Sequence, residues 1–287
     1  MQKIKIVTDS TSDIPKHLQA ELNIEVLPLT LIIDGKEYRD GIDLTPQEFY
    51  DILEEGKKSV TSSCVAPGIF SEVYEKAWKE GYTDLINITI NAKGSGTCQG
   101  AVLSREMFYE NHPEAKENFN IHIIDSKTYS MCYGWAVIEA ARMNKEGKSV
   151  SEIIAAANDW LENVHPLFVP FTLKYVKKSG RVSAAAAFVG DALGLKPVIT
   201  FQNGDSAVIS KIRGEKRVVD DILEMVKNDR KPGTPYTIVY GNNEEQRAKI
   251  NEACREMLDR PPEFDYPVGS VICMNTGPDM IAIIYRR

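Results

Sequence analysis

The first 165 residues alternate short apolar runs with amphipathic stretches, and that order restricts the fold more than any other property of the chain. Ile4-Lys5-Ile6-Val7 is a β-branched run ending in Thr8-Asp9-Ser10-Thr11-Ser12-Asp13, and Ile14-Pro15 then leads into a helical pattern. Ser12 or Asp13 is expected to cap that helix, with Pro15 in its first turn. A strand is expected over 25–33, turning at Asp34-Gly35, and Thr45-Pro46 opens a helix through Phe49 and Leu53. Helices then follow at 70–79, 96–109, 131–144 and 150–164, separated by strands at 85–90 and 121–125. Such alternation implies a parallel sheet with helices on both faces.

Beyond His165-Pro166 the texture changes. Residues 167–173 are apolar, 174–181 read as a basic turn, and 183–193 are Ala-rich, with the run Ala184 to Ala187 beside Phe188 read as a closely packed helix. Strands are expected at 198–201, 207–212, 237–240, 270–274 and 280–285, with helices at 216–228 and 243–258. Gln202-Asn203-Gly204-Asp205 is a hairpin turn, which points to an α+β second domain. The expected division is therefore an α/β domain over 1–165 and an α+β domain over 166–287, and 287 residues suit two domains of ordinary size.

Charge and composition remove several classes. Lys and Arg number 34 against 41 Asp and Glu, for a net charge of −7, so nucleic acid is not an expected partner. No apolar run approaches the roughly 20 residues of a bilayer span, and the amino-terminal stretch lacks a signal-peptide pattern, so a cytoplasmic location is expected, with at most transient membrane contact. Five scattered cysteines without a C-x-x-C pair read as free thiols, and four dispersed histidines give no metal site.

Four polar clusters of small residues carry what chemistry there is: Thr8 to Asp13, Thr61-Ser62-Ser63, Lys93-Gly94-Ser95-Gly96-Thr97, and Asn275-Thr276-Gly277-Pro278. Each is expected at the end of a strand, where an open α/β sheet binds its ligands. Singly each reads as a cap or a turn; as a set they are expected to form an anion site of hydroxyls and backbone N–H groups. Gly94-Ser95-Gly96 is not G-x-S-x-G, and no Asp…His order follows, so a hydrolase triad is not encoded. No Walker A or G-x-G-x-x-G sequence is present, and no cofactor is expected. Arg181 and Arg213 read by themselves as surface charges, and Cys64, Cys98 and Cys273 as small buried residues beside the clusters.

Taken in order, the clusters resemble the DegV family of bacterial fatty-acid-binding proteins, which includes the binding subunits of fatty acid kinase. The resemblance rests on 6–15, Thr61-Ser62, Ser95-Gly96-Thr97 with Gln99 and Ala101, Gly180-Arg181-Val182-Ser183, and Thr276-Gly277-Pro278. It implies two domains with a long-chain fatty acid at their junction, the acyl tail buried and the carboxyl group held by Thr61 and Ser95, with Ser62, Asn275 and Arg181 beside it. It also implies that Arg213 docks a kinase catalytic subunit. Departures accompany it: Asn275 stands where kinase-competent members carry His, Asp279 replaces a glycine, Thr61-Ser62-Ser63-Cys64 replaces T-S-Q-P, and Cys98 replaces Tyr. The expected function is an intracellular fatty-acid carrier without catalysis. Two alternatives are a substrate-presenting subunit in acyl-phosphate formation, and a small-anion or sugar-phosphate enzyme using Asp9, Ser10 and Thr11.

Overall fold

The computed structural model describes residues 2–186, 188 and 194–287. In chain order the elements are β1 (Ile4–Asp9), α1 (Lys16–Glu21), β2 (Ile24–Leu27), β3 (Thr30–Ile33), β4 (Lys36–Arg39), α2 (Pro46–Glu55), β5 (Val60–Ser63), α3 (Pro67–Lys79), β6 (Asp84–Thr89), α4 (Thr97–Asn111), β7 (Asn120–Asp125), α5 (Met131–Lys145) and α6 (Val150–Asn163). There follow β8 (Val164–Pro170), α7 (Lys174–Ser179), α8 (Ser183–Ala186), β9 (Leu195–Gln202), β10 (Asp205–Arg213), α9 (Val218–Asp229), β11 (Tyr236–Tyr240), α10 (Glu244–Met257), β12 (Phe264–Pro267), α11 (Ser270–Thr276) and β13 (Met280–Arg286).

Two compact units result. The first comprises residues 1–32, 36–42 and 62–162; the second comprises 33–35, 43–61 and 163–287. The expected division at 165 assigned all of 1–165 to one domain, whereas α2 packs with the carboxyl-terminal half: the Tyr50 hydroxyl donates to Val268 O, and Tyr175 donates to Leu53 O at 3.1 Å.

The first unit holds a four-stranded, all-parallel sheet of order β2-β1-β6-β7. Every residue of β6 is buried, and only Lys5 of β1 is not, as expected of parallel strands covered on both sides. The chain leaves β1 toward β2 in one direction and β6 toward β7 in the other. Right-handed crossovers therefore put α1 and α4 on opposite faces. The second unit is a mixed six-stranded sheet, β10-β9-β8-β13-β11-β12, in which only β11 and β12 pair parallel. Its core joins Val169, Ile281 and Ile283 of the sheet to Ile222 and Val226 of α9 and Ile250 of α10. Asn203 and Gly204, both with positive φ, make the tight β9–β10 hairpin expected from the sequence. Three short strands, β4-β3-β5, form a further sheet.

Several expectations are corrected. The strand expected over 25–33 is two, because Pro28 cannot donate to a ladder; β2 pairs with β1, and β3 turns into β4. Neither Ser12 nor Asp13 caps α1. The cap is Pro15, without a side-chain bond, while Asp9 caps a short 3-10 turn at Ser10–Ser12. The basic turn at 174–181 is helix α7, closed by Gly180 at φ +69°. The strand expected at 270–274 is helix α11, whose residues are mostly buried and so show no polar face to reveal the helical period. The Thr8 to Asp13 and 93–97 clusters do follow strands. Thr61-Ser62-Ser63 instead lies within β5, and Asn275 and Thr276 end a helix. Of the Ala-rich run, Ala187 and 189–193 lie outside the described residues.

Candidate functional site

In the first unit the end of β1 is a closed knot. The buried Asp9 carboxylate accepts N–H bonds from Thr11 (3.1 Å) and Ile90 (2.8 Å), and O–H bonds from Thr11 and from Tyr133 (2.7 Å). Burial pushes its carboxyl above the usual range, and Tyr133 is held well above an ordinary phenol by burial first and by Asp9 next. Ser10 donates to Asp40 at 2.6 Å and accepts from Leu29 N at 3.0 Å. Ser130 donates to Asp13 at 2.5 Å. These groups tie β1, β6 and α5 together. The oxygens an anion-processing enzyme would need at Asp9, Ser10 and Thr11 are thus engaged within the protein, which removes the support for that alternative. Among the described residues no group of three His, Cys, Asp or Glu side chains is placed to hold a metal ion.

The turn after β6 is built differently. The carbonyl of buried Asn91 accepts N–H bonds from Gly94 (3.0 Å) and Ser95 (3.1 Å), and its Oδ1 accepts Lys93 N–H at 3.1 Å. Ala92 N–H donates to Asp125 at 3.0 Å, and Asn91 N–H donates to Thr128 O at 3.1 Å. Ser95 is half-buried; its Oγ accepts Thr97 N–H at 3.3 Å and lies 2.9 Å from Thr97 Oγ1. Gly96 then caps α4, a helix of 15 residues, so the turn sits at the positive end of a full-length helix. A Cβ placed on Gly96 would lie 3.4 Å from Cys64 Sγ, which puts exposed Cys64 against the same turn. Cys98 follows in the first helical turn, buried, with its thiol pushed up by desolvation.

The other sequence-derived residues lie on several elements of the two units. Thr61 is exposed and Ser62 half-buried on β5; Ser62 belongs to the unit that contains Ser95, and Thr61 to the other. In the second unit Arg181 is exposed and donates to Ser179 O at 2.8 Å, just past α7. Asn275, half-buried on α11, donates its Nδ2 to Val271 O at 2.7 Å. Gly277 follows, and a Cβ there would meet the Tyr175 ring at 2.5 Å. Arg213 is exposed at the end of β10. Asn91, Tyr129 and Tyr133, which shape the first unit's clusters, escaped the sequence reading; the one local signal was a polar Asn directly after an apolar strand.

Comparison with known proteins gives one family throughout. The DegV family's sequence model matches residues 3–287. A DegV domain-containing protein of Caldanaerobacter subterraneus is 35% identical over 293 residues, covering 100% of both chains. Among solved structures, a DegV family protein of Thermus thermophilus described as fatty acid binding superposes with a TM-score of 0.87 at 29% identity over 100% of both chains. DegV of Bacillus subtilis, described as a fatty acid binding protein, gives 0.85 at 27% identity, again over 100% of each.

Proposed function

Because the chain belongs to the DegV family, we propose that it binds a long-chain fatty acid and serves as its carrier, without catalysis of its own. The observation that carries this reading is the full-length likeness to the fatty-acid-binding DegV protein of Thermus thermophilus, at 29% identity. The Ser95 turn supports it with a hydroxyl and first-turn N–H groups at a helix N-terminus, which suit a carboxyl group.

The division of labour follows from the ligand. Burying about 15 methylenes at ~0.8 kcal/mol each contributes on the order of 12 kcal/mol before ordering and lost translation are subtracted. The tail supplies affinity, and the head group fixes orientation. Thr61, Ser62 and Ser95 are the hydroxyls that would hold the carboxyl group, with Arg181 and Asn275 as further contacts. An amide at position 275 stays uncharged at every pH, so head-group affinity from that residue would not follow an imidazole titration. Docking of a kinase catalytic subunit at exposed Arg213, which would receive the presented carboxyl group, belongs to the same proposal.

The test is extraction of the purified protein into organic solvent followed by mass spectrometry, beside a Thr61→Ala/Ser95→Ala variant. A stoichiometric fatty acid that is lost from the variant is expected. Folded wild-type protein that yields none, and takes up none when it is added, would overturn the proposal.

A further inference from the structure

We propose that Tyr129 is a positioning residue for the carboxyl-binding turn: it does not touch the ligand, and it sets where the Ser95 hydroxyl stands. The inference rests on the reading of Ser95 as a head-group ligand. Two observations carry it. The Tyr129 hydroxyl accepts a bond from Asn91 Nδ2 at 2.8 Å, and Asn91 is the residue whose carbonyl gathers the N–H groups of Gly94 and Ser95. The same hydroxyl also fills the space beside Gly94. A Cβ at that position would overlap the phenol oxygen, with two ring carbons 3.1 Å away. Gly94 is not among the residues with positive φ, so what requires glycine there is the tyrosine wall and not the backbone conformation. Tyr129 therefore holds the turn twice, by a bond to its hub and by contact with its backbone.

The segment that delivers Tyr129 is itself costly to form. Lys127 and Ser130, non-glycine residues on either side of it, have φ of +55° and +53°. Such conformations persist where the surroundings over-determine them, and they cluster at functional sites. Here the surroundings are identifiable: Ser126 Oγ accepts Thr128 N–H at 3.3 Å, Asp125 accepts Lys127 N–H at 3.0 Å, and Thr128 O receives Asn91 N–H at 3.1 Å. The 125–130 segment and the 91–95 turn thus brace one another, and the turn ends in the Ser95 hydroxyl at the start of α4.

A wall that merely stabilised the fold would act on affinity regardless of Ser95; a positioning residue acts through it. The experiment is the dissociation constant for palmitic acid in wild type, Tyr129→Phe, Ser95→Ala and the double variant, with folding checked by circular dichroism. Tyr129→Phe is expected to weaken binding about three- to tenfold, the effect of one net hydrogen bond. In the Ser95→Ala background the same change is expected to cost less than about twofold, because the group it positions is gone. Gly94→Ala supplies a second arm. It should weaken binding through overlap with the tyrosine hydroxyl and recover part of the loss when combined with Tyr129→Phe. Equal losses from Tyr129→Phe in both backgrounds, wild-type affinity in Tyr129→Phe, or wild-type affinity in Gly94→Ala would each overturn the inference. Wild-type protein that binds no palmitic acid would overturn the carrier reading and this inference with it, and is told apart because it precedes any variant.

Discussion

His165 sets an acid limit on the second unit that can be worked out from its contacts. The ring is 3% exposed. Its Nε2 lies 3.0 Å from Arg287 Nη2, and since a guanidinium can only donate, Nε2 must accept. The proton of the neutral ring is then on Nδ1, which faces Thr200 Oγ1 at 3.3 Å. Protonation would set a second N–H against a cation, with the Tyr285 ring at 5.5 Å and Asp229, bonded to Arg287 at 2.6 Å, as the nearby compensating charge. Burial first and Arg287 next lower the imidazole from its ordinary 6.5 to about 4, against the opposing pull of Asp229. Below pH 6.5 the unfolded chain takes up a proton that the folded chain refuses. Stability therefore falls as the pH drops, and the loss is complete below about pH 4. That interval corresponds to roughly 3 kcal/mol in full, of which about 2 kcal/mol is lost between pH 7.5 and pH 5. The assay is urea unfolding of wild type and His165→Gln at both pH values. Far-UV circular dichroism is the probe, because Trp78, Trp135 and Trp160 all lie in the first unit. Carboxyl groups such as Asp9 and Asp279, whose burial raises them, titrate in both proteins and cancel on subtraction. Wild type should lose ~2 kcal/mol more than the variant between the two pH values. Equal losses would refute the assignment of a neutral, accepting Nε2.

Other outcomes follow from the packing of the first unit. Gly134→Ala, in the interior of α5, would ordinarily gain up to ~1 kcal/mol of helix propensity; here the new methyl overlaps the Ser12 carbonyl, and a net loss of ~1–3 kcal/mol is expected. An unchanged or raised melting temperature would show that the 3-10 turn yields. Of the five thiols, Cys64 is exposed and four are buried, with Cys132 pushed up to about 12 and Cys254 to about 11 by desolvation. Native protein should therefore give one fast equivalent with a thiol reagent. Because Cys64 borders Gly96, the adduct should bind palmitic acid less tightly than unmodified protein, an effect absent from Cys64→Ser.

Local signals read correctly wherever the chain enforces structure over a few residues. Thr45, Pro46 and Glu48 form a full capping box at the start of α2, with Thr45 N–H donating to Glu48 at 2.8 Å. The parallel sheet follows from β-branched runs separated by amphipathic helices. Two of the elements misread share one cause: burial or charge that masks periodicity. Residues 271–274 are an unbroken apolar run because α11 is mostly buried, so a helix looked like a strand; 174–181 looked like a turn because Lys174, Lys177 and Lys178 suppressed any apolar stripe. In the candidate site Ser95 was legible through its flanking glycines. Tyr129 and Asn91 were not, since 38 residues separate two groups whose meeting is tertiary.

The assignment of α2 to the second unit has a consequence for synthesis. Its apolar face, Phe49, Tyr50 and Leu53, emerges from the ribosome early, yet Tyr50 meets its carbonyl partner at Val268, 218 residues later. At roughly 5–20 residues per second that is a delay of about 10 to 45 seconds. Through that interval a nascent chain otherwise able to complete a parallel sheet holds a helix whose apolar face lacks its Val268 partner. The same interval means that a gene fragment ending near residue 162 would encode the first unit together with its own aggregation signal.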